Sequence, residues 1–303
     1  MSQARGQVSK AQWIRRLAVR RRERVGFVLS GGGPLGAMQV GALKAFERHA
    51  IKPDLIVGTS VGAINGAFLA FSPPESRIER LEDAWNTMRE SELFPATRWR
   101  PGWARFLARG DHVYSNGGLR ALLEMHFPNA RFEQAITPLG VVATDLDTGL
   151  ERVFTEGPVI DPLLASGAMP GVFPPISIEG KLYIDGGVAD NVPIAPAVSL
   201  GATTIYVIDT TGASVRSRRP LVRPIDYLLH AFSLARSQRV ALERTLYSER
   251  VRVVHVPVPE LDTYIPFASL GSTRALIDST FELVDNFLAS GPADAIEASA
   301  PGA

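Results

Sequence analysis

From residue 25 onward, short apolar runs alternate with stretches whose apolar positions recur at helical spacing. The runs at 25–29, 54–57, 139–143, 152–154, 182–184, 204–208 and 251–256 are short and rich in Val, Ile and Leu, which predicts buried strands. Between them, Leu35, Met38, Leu43 and Phe46 predict a helix over 35–49, and Ile78, Leu81, Trp85 and Met88 one over 78–88. Residues 119–125, 225–247 and 273–288 follow the same period. Strands alternating with helices imply a mainly parallel sheet with helices on both faces, an α/β fold. Residues 91–115, rich in Pro, Trp and Arg, read as irregular chain and a cap or access loop, and 212–224 as a basic loop. No internal repeat is evident.

Composition changes this picture at the two ends. The 303 residues are 46% hydrophobic, enough for a substantial core, and the net charge is only +1. That balance hides an asymmetry: residues 1–25 hold eight Lys/Arg against Glu23, whereas the remainder is acidic. Residues 1–24 therefore form a basic extension, amphipathic if helical, with Trp13, Ile14 and Leu17 on one face. It reads as a solvated, frayed segment or as a helix lying on an anionic membrane; nucleic acid or a transit function is disfavoured. Residues 290–303 are small and Pro/Gly-containing, and predict a disordered tail. The chain divides into this extension, a core over 25–210, helices and a strand over 211–289 completing the same unit, and the tail. No run reaches the ~20 apolar residues of a bilayer span, and the N-terminus lacks the apolar core of a secretory signal. Cysteine is absent, which fits a reducing compartment and removes thiolate metal sites. These features suggest a cytoplasmic protein, peripheral on the inner membrane face if the extension binds lipid.

The chemistry concentrates after the strand at 54–57. Gly58-Thr59-Ser60-Val61-Gly62 precedes the small-residue stretch from Ala63 to Ala67, so the order is strand, abrupt turn, helix. A G-x-S-x-G in that context is a nucleophile elbow, in which a strained turn holds the serine hydroxyl clear of the sheet. Side chains at Gly58 or Gly62 would collide with the neighbouring strand and helix. Upstream, Gly31-Gly32-Gly33-Pro34-Leu35-Gly36 spells a dinucleotide fingerprint, but the acid that such a site needs at the end of the second strand is replaced by the elbow itself. The loop reads better as an oxyanion hole, with the amides of Gly32, Gly33 and Leu35 as donors at the start of a helix. Pro34 suits a first helical position and donates nothing. A base for Ser60 could be one of the five histidines, His49, His112, His126, His230 or His255, none of which carries a signature. It could also be a carboxylate. Asp185-Gly186-Gly187 places an acid at a strand end beside two glycines, with Asp145, Asp147 and Asp209 as rivals.

Taken together, these blocks resemble the patatin-like phospholipases. The resemblance rests on Gly-Gly-Gly-x-x-Gly, Gly-x-Ser-x-Gly and Asp-Gly-Gly in order, with Ala165-Ser166-x-x-x-Pro170 and Asp190-Asn191-x-Pro193 as further matching blocks. It covers about residues 25 to 210. It implies a three-layer α/β/α sandwich and hydrolysis of acyl lipids by a Ser–Asp dyad. Ser60 is then the nucleophile and Asp185 the proton acceptor, with the 31–36 loop, from Gly31 to Gly36, as oxyanion hole. No cofactor and no metal are implied, and nothing bears on oligomeric state. One departure stands out: Leu35 occupies a position where the family usually has Arg or Lys. The backbone donors survive this change while a local positive charge is lost. A catalytically weak lipid-binding or regulatory module, and an esterase with a Ser-Asp-His triad, are therefore the competing readings. Ser166 has no role derivable from the sequence beyond helix packing.

Overall fold

The computed structural model describes residues 23–94, 112–210, 234, 238–240, 242–243, 246–247, 250–261, 265 and 269–291. The strands, in chain order, are β1 (Val25–Leu29), β2 (Leu55–Thr59), β3 (Leu139–Asp145), β4 (Glu151–Phe154), β5 (Ile176–Ile178), β6 (Lys181–Asp185), β7 (Thr204–Ile208) and β8 (Arg252–His255). They form one sheet whose hydrogen-bonded path runs β5-β6-β3-β2-β1-β7-β8, with β4 also paired to β3. The stretch from β3 through β2, β1 and β7 to β8 is parallel, and β4, β5 and β6 are antiparallel additions.

The helices are α1 (Gly36–Arg48), α2 (Val61–Phe71), α3 (Arg77–Thr87), α4 (Glu90–Leu93), α5 (Gly117–His126), α6 (Ile160–Ser166), α7 (Ile194–Ser199) and α8 (Thr273–Ala289). Because side chains alternate across a strand, the sheet has two apolar faces. Phe27, Leu29, Ile56 and Val141 join the larger cluster with Met38 and Phe46 of α1, Phe68 of α2 and Ile277 of α8. Val28, Leu55, Val57, Val142, Ile205 and Val207 point the other way, against Ile194 and Ala197 of α7 and the partly buried Val240 and Tyr247. The result is the expected sandwich of helices, mostly parallel sheet and helices. Among the described residues no helix is long and apolar enough to cross a membrane.

One feature of the topology governs the rest. A strand has two edges, and β4 occupies β3 from Val141 to Thr144. Strand β2 pairs with β3 up to Thr59↔Val142, and β6 takes over at Ala143↔Asp185. Since both overlap β4 in register, β2 and β6 must share the opposite edge of β3, end to end. Their C-termini meet head-on, and those C-termini are Thr59 and Asp185.

The pattern reading locates the long helices to within a residue or two. It misses α4, in chain read as irregular, and β5, α6 and α7, all too short to complete a recognisable period. Residues 1–22 of the basic extension, the 212–224 loop, most of 225–247 (including His230), residues 95–111 and most of the 290–303 tail lie outside the described residues.

Helices α1 and α8 approach so closely that a Cβ added at Gly41 would lie 2.3 Å from the Ile277 carbonyl oxygen. Backbone cannot yield as a flexible side chain does, so Gly41→Val forces the helices apart. We expect a loss of about 1–3 kcal/mol, the usual cost of overpacking, read as a lower urea midpoint with an unchanged slope.

Candidate active site

Ser60 stands between β2 and α2 with φ 54° and ψ −125°, a backbone conformation that non-glycine residues rarely adopt. Two close approaches make room for it. A Cβ at Gly58 would lie 2.4 Å from the Gly62 carbonyl oxygen, and one at Gly62 would lie 2.2 Å from that of Leu29. The turn is therefore pressed against the end of β1 with no space for side chains at either glycine.

The abutting strand ends bring Ser60 Oγ to Asp185, to which it donates at 2.7 Å on Oδ2. The other carboxylate oxygen accepts from Gly187 N at 2.7 Å, which fixes the plane of the carboxylate and leaves Oδ2 facing the serine. Gly186 is compact for a reason too: a Cβ there would lie 2.2 Å from the Val142 carbonyl oxygen. Asp185 itself is only 9% exposed. The rival acids sit elsewhere. Asp145 caps the turn after β3, accepting from Asp147 N and Thr148 N, and these bonds, Thr148 first, hold it below the usual carboxylate range. Asp209 lies just past β7.

Ser166, unassigned from the sequence, holds the elbow from beneath. Its Oγ accepts from Ser60 N at 2.7 Å and donates to the Val142 carbonyl at 2.6 Å, in complete burial. The signal for it was present in the Ala165-Ser166-x-x-x-Pro170 block, but α6 is too short to be recognised as the helix carrying it.

The glycine loop follows β1, which pairs directly with β2, and Gly31 lies against Ser60: a Cβ on Gly31 would be 3.2 Å from that of Ser60. The loop is held by a buried polar chain. Trp85 Nε1 donates to Asn65 Oδ1, Asn65 Nδ2 to Gln39 Oε1 and to the Gly36 carbonyl, and Gln39 Nε2 to the Ser30 carbonyl. From the other side, Thr210 at the end of β7 donates through Oγ1 to the Gly31 carbonyl and through its amide to Ser30 Oγ. Three of the loop amides are spent inside the fold: Gly31 N on the Asn191 carbonyl, Leu35 N on that of Gly32, and Gly36 N on those of Gly33 and Pro34. Among the described residues, the amides of Gly32 and Gly33 donate no hydrogen bond. Gly33 has φ 57°, which a glycine adopts without steric cost. Leu35 is buried in the main core at 6% exposure, and its side chain packs with α1 and its neighbours.

Gly33, Pro34 and Ser60 open onto a pocket of about 730 Å³, its mouth included. Its walls are apolar, built by Ile64, Phe68, Trp85, Leu119 and Phe173 among others. No histidine enters this group among the described residues. His49 pairs with Asp285 at 2.9 Å, and His126 packs edge-on against Phe68 from behind the pocket wall, its pKa lowered by burial and then by Arg80. His112 bridges to Gly171. His255 is on β8, three strands from β2, or roughly 14 Å at ~4.8 Å per strand.

A run of 172 residues, 27–198, matches the family model described as patatin-like phospholipase. This is more than half of the chain. The chain belongs to the patatin-like phospholipase family. That family is one of lipid ester hydrolases. Lysophospholipase NTE1 of Eremothecium gossypii is 28% identical over 70% of this chain and 13% of its own length. Patatin-like phospholipase domain-containing protein 7 of Rattus norvegicus is 30% identical over 61% of this chain, again 13% of its own length. This chain thus spans a small part of the curated relatives it matches. VipD of Legionella pneumophila has the same fold, with a TM-score of 0.50 at 13% identity over 88% of this chain and 67% of that one.

The turn after Asp185 carries a second charged cluster. Asp190, 2% exposed, faces Arg239, which also contacts Glu151 and Glu243. Burial, then the Glu243 carboxylate, pushes Asp190 up to about 8, and burial raises Glu243 as well. Between 3.8, its ordinary value, and about 8 the folded protein therefore holds a proton that the unfolded chain releases. Stability should fall as pH rises through that window, and Asp190→Asn should make the decline shallower; urea unfolding at several pH values measures both slopes. Ser166→Ala strands the Ser60 amide in the interior, and we expect it to lower unfolding free energy by about 1–3 kcal/mol.

Proposed function

We propose that this chain is a serine acyl hydrolase acting on phospholipids, lysophospholipids or related acyl esters. The observation that carries the reading is the 2.7 Å hydrogen bond from Ser60 Oγ to Asp185 at the mouth of an apolar pocket. Ser60 Oγ attacks the ester carbonyl as its proton passes to Asp185 Oδ2. The carbonyl π pair moves onto oxygen, and that oxyanion is received by the amides of Gly32 and Gly33. Collapse expels the alcohol, which takes the proton from Asp185 and leaves an acyl-Ser60. Water then attacks the acyl group with Asp185 again as acceptor, the acyl–Oγ bond breaks, and Ser60 takes the proton back as the fatty acid is released. The apolar walls suit a hydrocarbon chain, which gains about 0.8 kcal/mol for each methylene buried.

A carboxylate is a weak base near neutrality, so the oxyanion donors must supply much of the acceleration. Removing one such donor typically costs about 2.7–4 kcal/mol. Leu35 fits this division of labour: the loop works through backbone dipoles, and the side chain at this position is spent on packing rather than on charge. The lysophospholipase activity named for the Eremothecium gossypii relative supports a lysophospholipid among the substrates. For the basic segment 1–24 we carry forward contact with anionic lipid, which its deletion should weaken in vesicle sedimentation.

The decisive measurement is fatty-acid release from a short-chain ester and a lysophospholipid. Ser60→Ala and Asp185→Ala should each lower the rate by at least a thousandfold, while His49→Ala, His126→Ala, His230→Ala and His255→Ala stay within a few-fold of wild type. A histidine variant as damaging as Asp185→Ala would favour the triad. An unlabelled protein in a fluorophosphonate assay that still binds vesicles would favour the lipid-binding module.

A further inference from the structure

The segment 187–191 touches every part of the site. Gly187 N donates to Asp185 Oδ1, the Asp190 carbonyl accepts from Thr59 Oγ1 at 2.9 Å, and the Asn191 carbonyl accepts from Gly31 N at 3.2 Å. One short piece of chain thus holds the acid, the residue before the nucleophile and the first residue of the glycine loop. Its own turn is closed by Ala189 N and Asp190 N, both donating to the Gly186 carbonyl.

What grips this segment from outside is Arg239, in a helical stretch beyond the family match that ends at residue 198. The guanidinium donates to the Ala189 carbonyl and lies 3.7 Å from the buried Asp190 carboxylate. Its remaining donors reach Glu151 on β4 and, at 2.9 Å, Glu243 one turn along. Three hydrogen-bond acceptors and the nearby Asp190 side chain, from three parts of the chain, converge on one planar fork. A lysine presents a single point charge and could not hold them together. Without the arginine these groups, Asp190 the most buried of them, would be left in the interior with no donor to hold them together.

We propose that Arg239 is a positioning residue for the Ser60–Asp185 pair, acting through Ala189 and Asp190; this rests on the reading of that pair as the reacting groups. Arg239 touches no substrate. It fixes the segment that in turn fixes the acid, the elbow and the glycine loop. The part of the chain outside the family match therefore completes the catalytic frame.

The test compares wild type, Arg239→Gln, Arg239→Lys, Asp190→Asn and the Arg239→Gln/Asp190→Asn double variant. Arg239→Gln should lower kcat for a short-chain ester by about 10- to 100-fold with KM within threefold. Arg239→Lys should recover only part of the loss. The double variant should be no slower than Arg239→Gln, because both changes act on one contact. Hydrogen exchange, which does not depend on turnover, should speed up at least tenfold at the amides of Gly31, Gly187, Ala189 and Asp190, and not in α1 or α8. Local exchange that is unchanged in Arg239→Gln overturns the clamp whatever the activity. Faster exchange with kcat unaltered overturns the positioning role, as does multiplicative loss in the double variant. Should wild type fail to hydrolyse the ester, the reading of Ser60 and Asp185 falls, while the exchange data still decide whether Arg239 holds the segment. The double variant, which also removes the most buried acid of the cluster, keeps the measurement open if Arg239→Gln folds poorly.

Discussion

A serine held at φ 54° carries a backbone cost on the order of 1–3 kcal/mol, and the surrounding structure is arranged to keep it there. The close packing of Gly58 and Gly62 leaves the chain nowhere to relax, because relaxation would need space that Leu29 and the following helix already fill. The Ser60 amide, turned inward by that conformation, finds its acceptor in Ser166. Ser166 is in turn anchored on the Val142 carbonyl, within the strand that separates the two sheet additions. Strain at one residue is thus distributed over β1, β3 and α6. The exposed hydroxyl is the outcome, and it arrives facing a carboxylate whose direction is set by different contacts.

That meeting depends on how β3 is used. In a purely parallel sheet, the C-terminal end of β2 would be followed by open solvent. Here β6 runs back along the same edge of β3 and stops where β2 stops. Two chain ends pointing at each other along one edge place their side chains a few ångströms apart without any long reach. The short side chains of serine and aspartate suffice to meet, with no third group between them. Buried hydrogen bonds fix the surroundings of that pair: Gly187 sets the carboxylate, and Gln39, Asn65 and Thr210 set the glycine loop.

Much of this was legible in the residues. The alternation of apolar runs and helical periods gave the layers and most strands, since those elements bury one face each and must show it in their pattern. The turns around Ser60, the glycine loop and Asp185 stood out because close backbone approach restricts residue type at fixed spacing. The end-to-end sharing of β3 was not, because pairing register is a long-range property that no local window contains. Ser166 and Thr210 were missed for a related reason: a small hydroxyl residue supports many roles, and only its burial beside a particular amide or carbonyl separates them. Arg239 lay further still from view, in a stretch read simply as an amphipathic helix, although its contacts run to the turn beside the acid. Leu35 looked from the sequence like the loss of a charge; its burial shows a position that packs.

The pocket wall has a different origin from the polar frame. Leu93, Phe173 and Leu270 line it from segments scattered along the chain, and their side chains have no polar atoms with which to join the buried network. Trp85 and Asn65 are the exceptions, both lining the pocket while the indole nitrogen donates to the Asn65 side chain. On the proposed reading, selection can therefore reshape the wall for shorter, longer or branched chains by trading one apolar residue for another. The chemistry would be inherited intact, and it is at Trp85 and Asn65 that diversification of the ligand would endanger the reaction.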